Sequence, residues 1–131
     1  MTNPYFIAFR HNSNSGYVIS AASDQAVKLD LDGSGKPTIN APTAPGGADG
    51  IVRILTGKNP RAMVINQNDT RGYIWNYVSR DVTVVNLAND VTLATIVTAA
   101  QPSDALGKEV QRGKELFNSS IGPVSFNEEI D

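Results

Sequence analysis

The stretch Lys58-Asn59-Pro60-Arg61-Ala62-Met63-Val64-Ile65 leads through the turn Asn66-Gln67-Asn68-Asp69-Thr70-Arg71-Gly72. It continues as Tyr73-Ile74-Trp75-Asn76-Tyr77-Val78-Ser79-Arg80-Asp81-Val82-Thr83-Val84-Val85-Asn86-Leu87. Its grammar is that of β-structure. Short runs of β-branched and aromatic residues suit a pleated, half-buried surface. They are separated by Asn, Asp and Gly, which tolerate the left-handed backbone of tight turns. Val91-Thr92-Leu93-Ala94-Thr95-Ile96-Val97 adds a fourth run of the same kind.

The same pattern occurs once more, upstream. Asn3-Pro4 recurs as Asn59-Pro60 (59 − 3 = 56), and the same offset carries Gly16-Tyr17 onto Gly72-Tyr73, Ser23 onto Ser79 and Leu31 onto Leu87. The first copy supplies strands at Tyr5–Phe9, Tyr17–Ser20 and Ala26–Leu31, with a fourth at Ile51–Leu55. The copies differ between their third and fourth strands. The second passes from Leu87 to Val91 almost directly, whereas the first inserts residues 32–50, rich in Gly and Pro, a composition that reads as a surface loop. Repeats of four short antiparallel strands predict β-propeller blades.

At this point the residues resemble a known family. The Pro-led strand, the Tyr73-Ile74-Trp75-Asn76 strand and the Val82-Thr83-Val84-Val85-Asn86 strand are similar to the YVTN, or YncE-like, β-propeller repeat. The first copy departs from its signature at Tyr17-Val18-Ile19-Ser20. The resemblance implies an all-β fold of two four-stranded antiparallel β-propeller blades, 3–57 and 58–98 within a region 1–100, with a loop at 32–50. Two blades do not close a ring, which takes about four to eight. The expected architecture is therefore a partial propeller or one completed by oligomerisation, for instance from three or four chains. Relatives of these repeats imply a periplasmic or extracellular setting.

After Gln101-Pro102 the β pattern stops. Residues 101–131 read as a helix and tail, with Leu106, Val110, Leu116 and Phe117 at amphipathic spacing, Ser103 or Asp104 as N-cap, and Gly113 weakening the helix. Gln111-Arg112-Gly113-Lys114-Glu115-Leu116-Phe117-Asn118 resembles the opening helix of a di-haem cytochrome c peroxidase-like domain. There it precedes a Cys-X-X-Cys-His haem site. A solvated C-terminal helix is the other reading of the same residues.

Several chemistries have no residues to carry them here. The chain has no cysteine, so disulfides, zinc–thiolate sites, a Cys nucleophile and covalent haem attachment are excluded within it. A net charge of -2 gives no footprint for nucleic acid, and no apolar stretch approaches the ~20 residues of a membrane-inserted helix. The N-terminus lacks a signal-peptide pattern. His11, the only histidine, reads as a loop residue, and Asp30-Leu31-Asp32-Gly33-Ser34-Gly35 as a turn rather than a calcium loop. No catalytic constellation, metal site or cofactor is expected in the chain.

The candidate partner contacts are Arg53, Arg61 and Arg80, placed to line a rim or channel, with Arg80 solvated in a turn, and the aromatic set Tyr73, Trp75 and Tyr77. Alternation sets those three on one strand face, where packing between blades is their expected work and ligand stacking the alternative. The expected function is a non-catalytic propeller scaffold or binding module, with a protein partner or self-association. The alternative is the non-haem portion of an extracytoplasmic propeller–cytochrome c redox protein.

Overall fold

The computed structural model describes residues 1–39 and 51–120, so part of the Gly/Pro-rich loop and the end of the tail lie outside the described residues. The chain forms two antiparallel sheets and one helix. The first sheet is a meander of β1 (Pro4–Phe9), β2 (Ser15–Ser20) and β3 (Gln25–Leu31), whose far edge is shared by β4 (Pro37–Thr38) and β5 (Arg53–Leu55). The second is an uninterrupted meander of β6 (Pro60–Ile65), β7 (Arg71–Asn76), β8 (Asp81–Asn86) and β9 (Val91–Val97). The fourth strand expected at Ile51–Leu55 is thus the shorter β5. The stretch read as loop contributes β4, because Pro37 and Thr38 meet Leu31 and Asp30 across a turn closed by Asp32.

The repeat extends to backbone detail. Both first strands carry a register shift after their proline, between Pro4 and Phe6 and between Pro60 and Ala62. Left-handed φ recurs at the same offset, at Asn3 and Asn59 and at Asp24 and Arg80. The fourth strands pair in equivalent register: Leu55 stands opposite Gln25 as Val97 stands opposite Asp81. Glycine is needed at the start of β2. A Cβ on Gly16 would lie 2.6 Å from the Ala8 carbonyl oxygen.

One core lies between the sheets. Tyr17, Ile19, Ala26 and Ile54 of the first sheet pack on Met63, Ile65, Ile74, Val85 and Leu87 of the second. Fully burying such an aliphatic side chain stabilises by about 1.5–3 kcal/mol. Alternation along β2 and β7 allows either face to be buried, and the two strands bury opposite phases of the repeat, Tyr17 and Ile19 on one and Ile74 on the other.

Helix α1 (Ala105–Asn118) starts where Asp104 caps it, its carboxylate accepting the Gly107 amide at 2.8 Å. It is tied by polar contacts to the second sheet and to the segment that leads into it. Gln111 Nε2 donates to the Val78 carbonyl at 2.7 Å, and Asn59 Nδ2 donates to the Asn118 carbonyl at 3.1 Å. Beyond the helix, Ser120 N donates to the Ala22 carbonyl of the first sheet at 2.8 Å. Leu106, Val110 and Phe117 point into solvent.

Candidate assembly surface

Over β6 to β8 the face of the second sheet turned to the first is buried, whereas the outer face carries exposed side chains on β6, β7 and β9. On the outer face, cross-strand neighbours form two apolar rows that run over all four strands. One is Val64, Tyr73, Val84 and Ala94; the other is Ala62, Trp75, Val82 and Ile96. Neither row contains a charge. Val64 is 67% exposed and Ile96 52%. Strand β9 is exposed along its whole length.

The first sheet shows what such a face does when something covers it. Its counterpart row is Phe6, Ile19, Ala26 and Ile54, of which all but the edge residue Phe6 are buried, and Tyr17 stands where Tyr73 stands one repeat later. Tyr17 and Ile19 are 0% exposed under the second sheet, whereas Tyr73 is 41% and Trp75 44% exposed. Packing between the two sheets, expected of Tyr73, Trp75 and Tyr77, is therefore done by Tyr17 and Ile19. The later aromatics face outward because no sheet follows on that side among the described residues.

Tyr77 lies just past the end of β7. Its ring is stacked between the Arg61 guanidinium at 4.0 Å and the Lys114 ammonium at 3.8 Å, and meets Trp75 edge to face at 5.9 Å. Arg61 also lies 5.3 Å from the centre of the Tyr5 ring, and its Nε donates to Asn59 Oδ1 at 2.8 Å. Arg61, Trp75 and Tyr77 are thus brought together, and the two cations clamp α1 to the second sheet. Arg80 stands apart in the β7–β8 turn, half-buried, where its guanidinium donates to the Ala100 carbonyl at 2.8 Å. Arg53 is on β5 of the first sheet, opposite Val27.

Three carboxylates pin the sheets together, and sequence reasoning singled out none of them for this work. Asp69, in the β6–β7 turn, accepts the His11 amide at 2.8 Å, the Asn12 amide at 2.7 Å and the His11 ring at 3.0 Å. Desolvation would raise the Asp69 carboxyl, but the hydrogen bonds from His11 and Asn12 outweigh it and hold the pKa at about 2. Asp24 accepts the Asn59 amide at 2.8 Å and the Lys58 ammonium at 3.1 Å. Asp90 accepts the Tyr17 hydroxyl at 2.6 Å and the Lys28 ammonium at 2.8 Å. Burial, followed by the Asp90 hydrogen bond and charge, pushes the Tyr17 phenol upward. A faint signal for Asp69 existed: the second turn has an Asp where the first has Ser13.

Asp24 and Lys58 also line a cleft of about 170 Å³ beneath α1, with Asn59, Val78, Arg112, Glu115, Asn118 and Ser119. Its charges are matched in sign and partly paired. Among the described residues no group of three or more acidic or histidine side chains is gathered as metal ligands would be, and no helix is long and apolar enough to cross a membrane.

The fold has a relative of known structure. A chain titled hydrazine synthase, from Kuenenia stuttgartiensis, superposes with a TM-score of 0.59 at 16% sequence identity, over 79% of this chain and 25% of that one. The likeness is one of fold, and this chain spans about a quarter of the length of the relative. No protein-family model and no curated protein matches the sequence.

Proposed function

We propose that the two sheets are β-propeller blades of the YVTN kind and that the chain is a binding and assembly module without chemistry of its own. The observation that carries this reading is the unequal fate of one repeated face: buried at Tyr17 and Ile19, open at Tyr73 and Trp75. Blades are the architecture in which one sheet face must always be covered by the next sheet. An aromatic sheet face whose central rows carry no charge is a site for another protein surface.

A three-sheet chain tests the reading. Four residues, 56–59, join β5 to β6. Fusing a second copy of residues 58–98 ahead of Met1 would leave four residues, Thr98 and Met1 to Asn3, between Val97 and Pro4. The added sheet is then free to lay its Tyr73–Trp75 face on the first sheet. Stacking is expected to slow hydrogen exchange of the β1 and β2 amides and to shield the added tryptophan from quenchers. Unchanged exchange with a freely quenched tryptophan would defeat the blade reading.

A second reading takes the chain as the non-haem portion of an extracytoplasmic propeller–cytochrome c redox protein. It draws on α1, whose resemblance to a cytochrome opening helix joins with Leu106, Val110 and Phe117 lying uncovered. Determining whether the encoding DNA continues into a Cys-X-X-Cys-His motif decides it. A stop codon without a neighbouring cytochrome frame would count against it.

A further inference from the structure

The junction inside the molecule specifies what each kind of sheet face accepts. There, the Tyr17–Ile19 face of one sheet receives Met63, Ile65 and Ile74 of the next. One repeat earlier, positions 63, 65 and 74 become Ile7, Phe9 and Val18, which lie on the first sheet's outer side; Ile7 is 48% and Phe9 46% exposed. One repeat later, positions 17 and 19 become Tyr73 and Trp75. A single chain therefore carries both halves of the same junction at opposite ends of its stack, with Ile7 and Phe9 exposed on one and Tyr73 and Trp75 on the other.

We infer that the partner of the Tyr73–Trp75 face is a second copy of this chain, docked head to tail through Ile7, Phe9 and Val18. The inference rests on the blade reading and names its occupant. The contact joins two different surfaces, so repeating it either closes a ring or extends a filament, as heterologous contacts do. Tyr73 and Trp75 are the anchors: large, rigid side chains in rows that carry no charge, the type that dominates interface energetics. The junction between copies differs from the internal one in its polar rim. At the repeat offset Asp69 becomes Ser13 and Asp24 becomes Arg80, so the carboxylate pins of the internal junction are not reproduced. Copies therefore associate more weakly than the two sheets within one chain, reversibly with concentration and with little response to salt.

Solution mass from light scattering, followed from dilute to concentrated protein, is the first readout, and the emission of Trp75, the only tryptophan, is the second. The wild type is expected to rise above 14.0 kDa as Trp75 emission shifts to the blue. Trp75→Glu and Ile7→Glu should each weaken association by roughly a hundredfold or more, because each places an unpaired charge in the contact. Mixing the two variants should restore a species of two copies, since each variant retains the face the other has lost. Circular dichroism of each variant alone reports folding, and Tyr73→Lys with Phe9→Lys serves as the second pair. Dissociation by Trp75→Glu but not by Ile7→Glu would mean like faces pair and overturns the proposal, as does a mixture that stays monomeric. A wild type of one chain's mass at every concentration also overturns it. If the three-sheet chain still stacks, the blade reading survives with a different occupant; if it does not, both fall.

Discussion

Tyr17 and Tyr73 are the same residue at the same place in two copies of one repeat, and the same substitution should cost very different amounts. In Tyr17→Phe the fully buried ring stays, but the hydroxyl that donates to Asp90 at 2.6 Å is lost. A hydrogen bond to a charged acceptor contributes about 1.5–3 kcal/mol. Lys28 still donates to Asp90 at 2.8 Å, which limits the penalty of the abandoned carboxylate and favours the lower part of that range. An unfolding entropy of about 2.1 cal/mol/K per residue converts a loss of about 2 kcal/mol into a fall of roughly 7 °C in Tm for a chain of this length. Tyr73→Phe, on a face open to water, should stay within about 0.5 kcal/mol of wild type. The assay is thermal and urea unfolding of both variants in dilute protein, where copies are separate. Equal losses, or a neutral Tyr17→Phe, would refute the argument that position in the stack decides the role of a repeat residue.

Asp69→Asn tests the clasp between the sheets through pH. The folded carboxyl is depressed to about 2, so the stability it contributes is complete above the ordinary carboxylate pKa near ~4 and disappears as pH falls from there through about 2. Wild-type Tm should drop more steeply over that interval than that of Asp69→Asn, and parallel curves would remove Asp69 from the account. Two glycines should respond with opposite sign in urea titrations. Gly16→Ala drives a methyl against the Ala8 carbonyl and should lower stability by about 1–3 kcal/mol. Gly113→Ala, in α1 with nothing within 4 Å of the new methyl, should raise it by roughly 0.5–1 kcal/mol.

The pattern of residues was enough for eight of the nine described strands and their order. Alternation placed Ile74 and Asn76 on the face opposite Tyr73 and Trp75, and the offset between Asn3-Pro4 and Asn59-Pro60 pointed to two sheets built alike; the left-handed residues at both asparagines are a further likeness that the structure adds. Local chemistry specifies these features: side-chain period, turn residues and a helix cap at Asp104 act within a few residues of chain. The short β4 was hidden because Gly and Pro mask a strand held only by its partner β3. Which copy of a repeated face is core and which is surface depended on the tertiary structure alone. Tyr17 and Tyr73 have the same local grammar, and only stacking order buries one and leaves the other open. The same holds for Asp69, Asp24 and Asp90, whose hydrogen-bond partners lie on the other sheet. Burial and polar pairing across sheets are properties of the assembled stack, so residues that are equivalent in sequence become different in work.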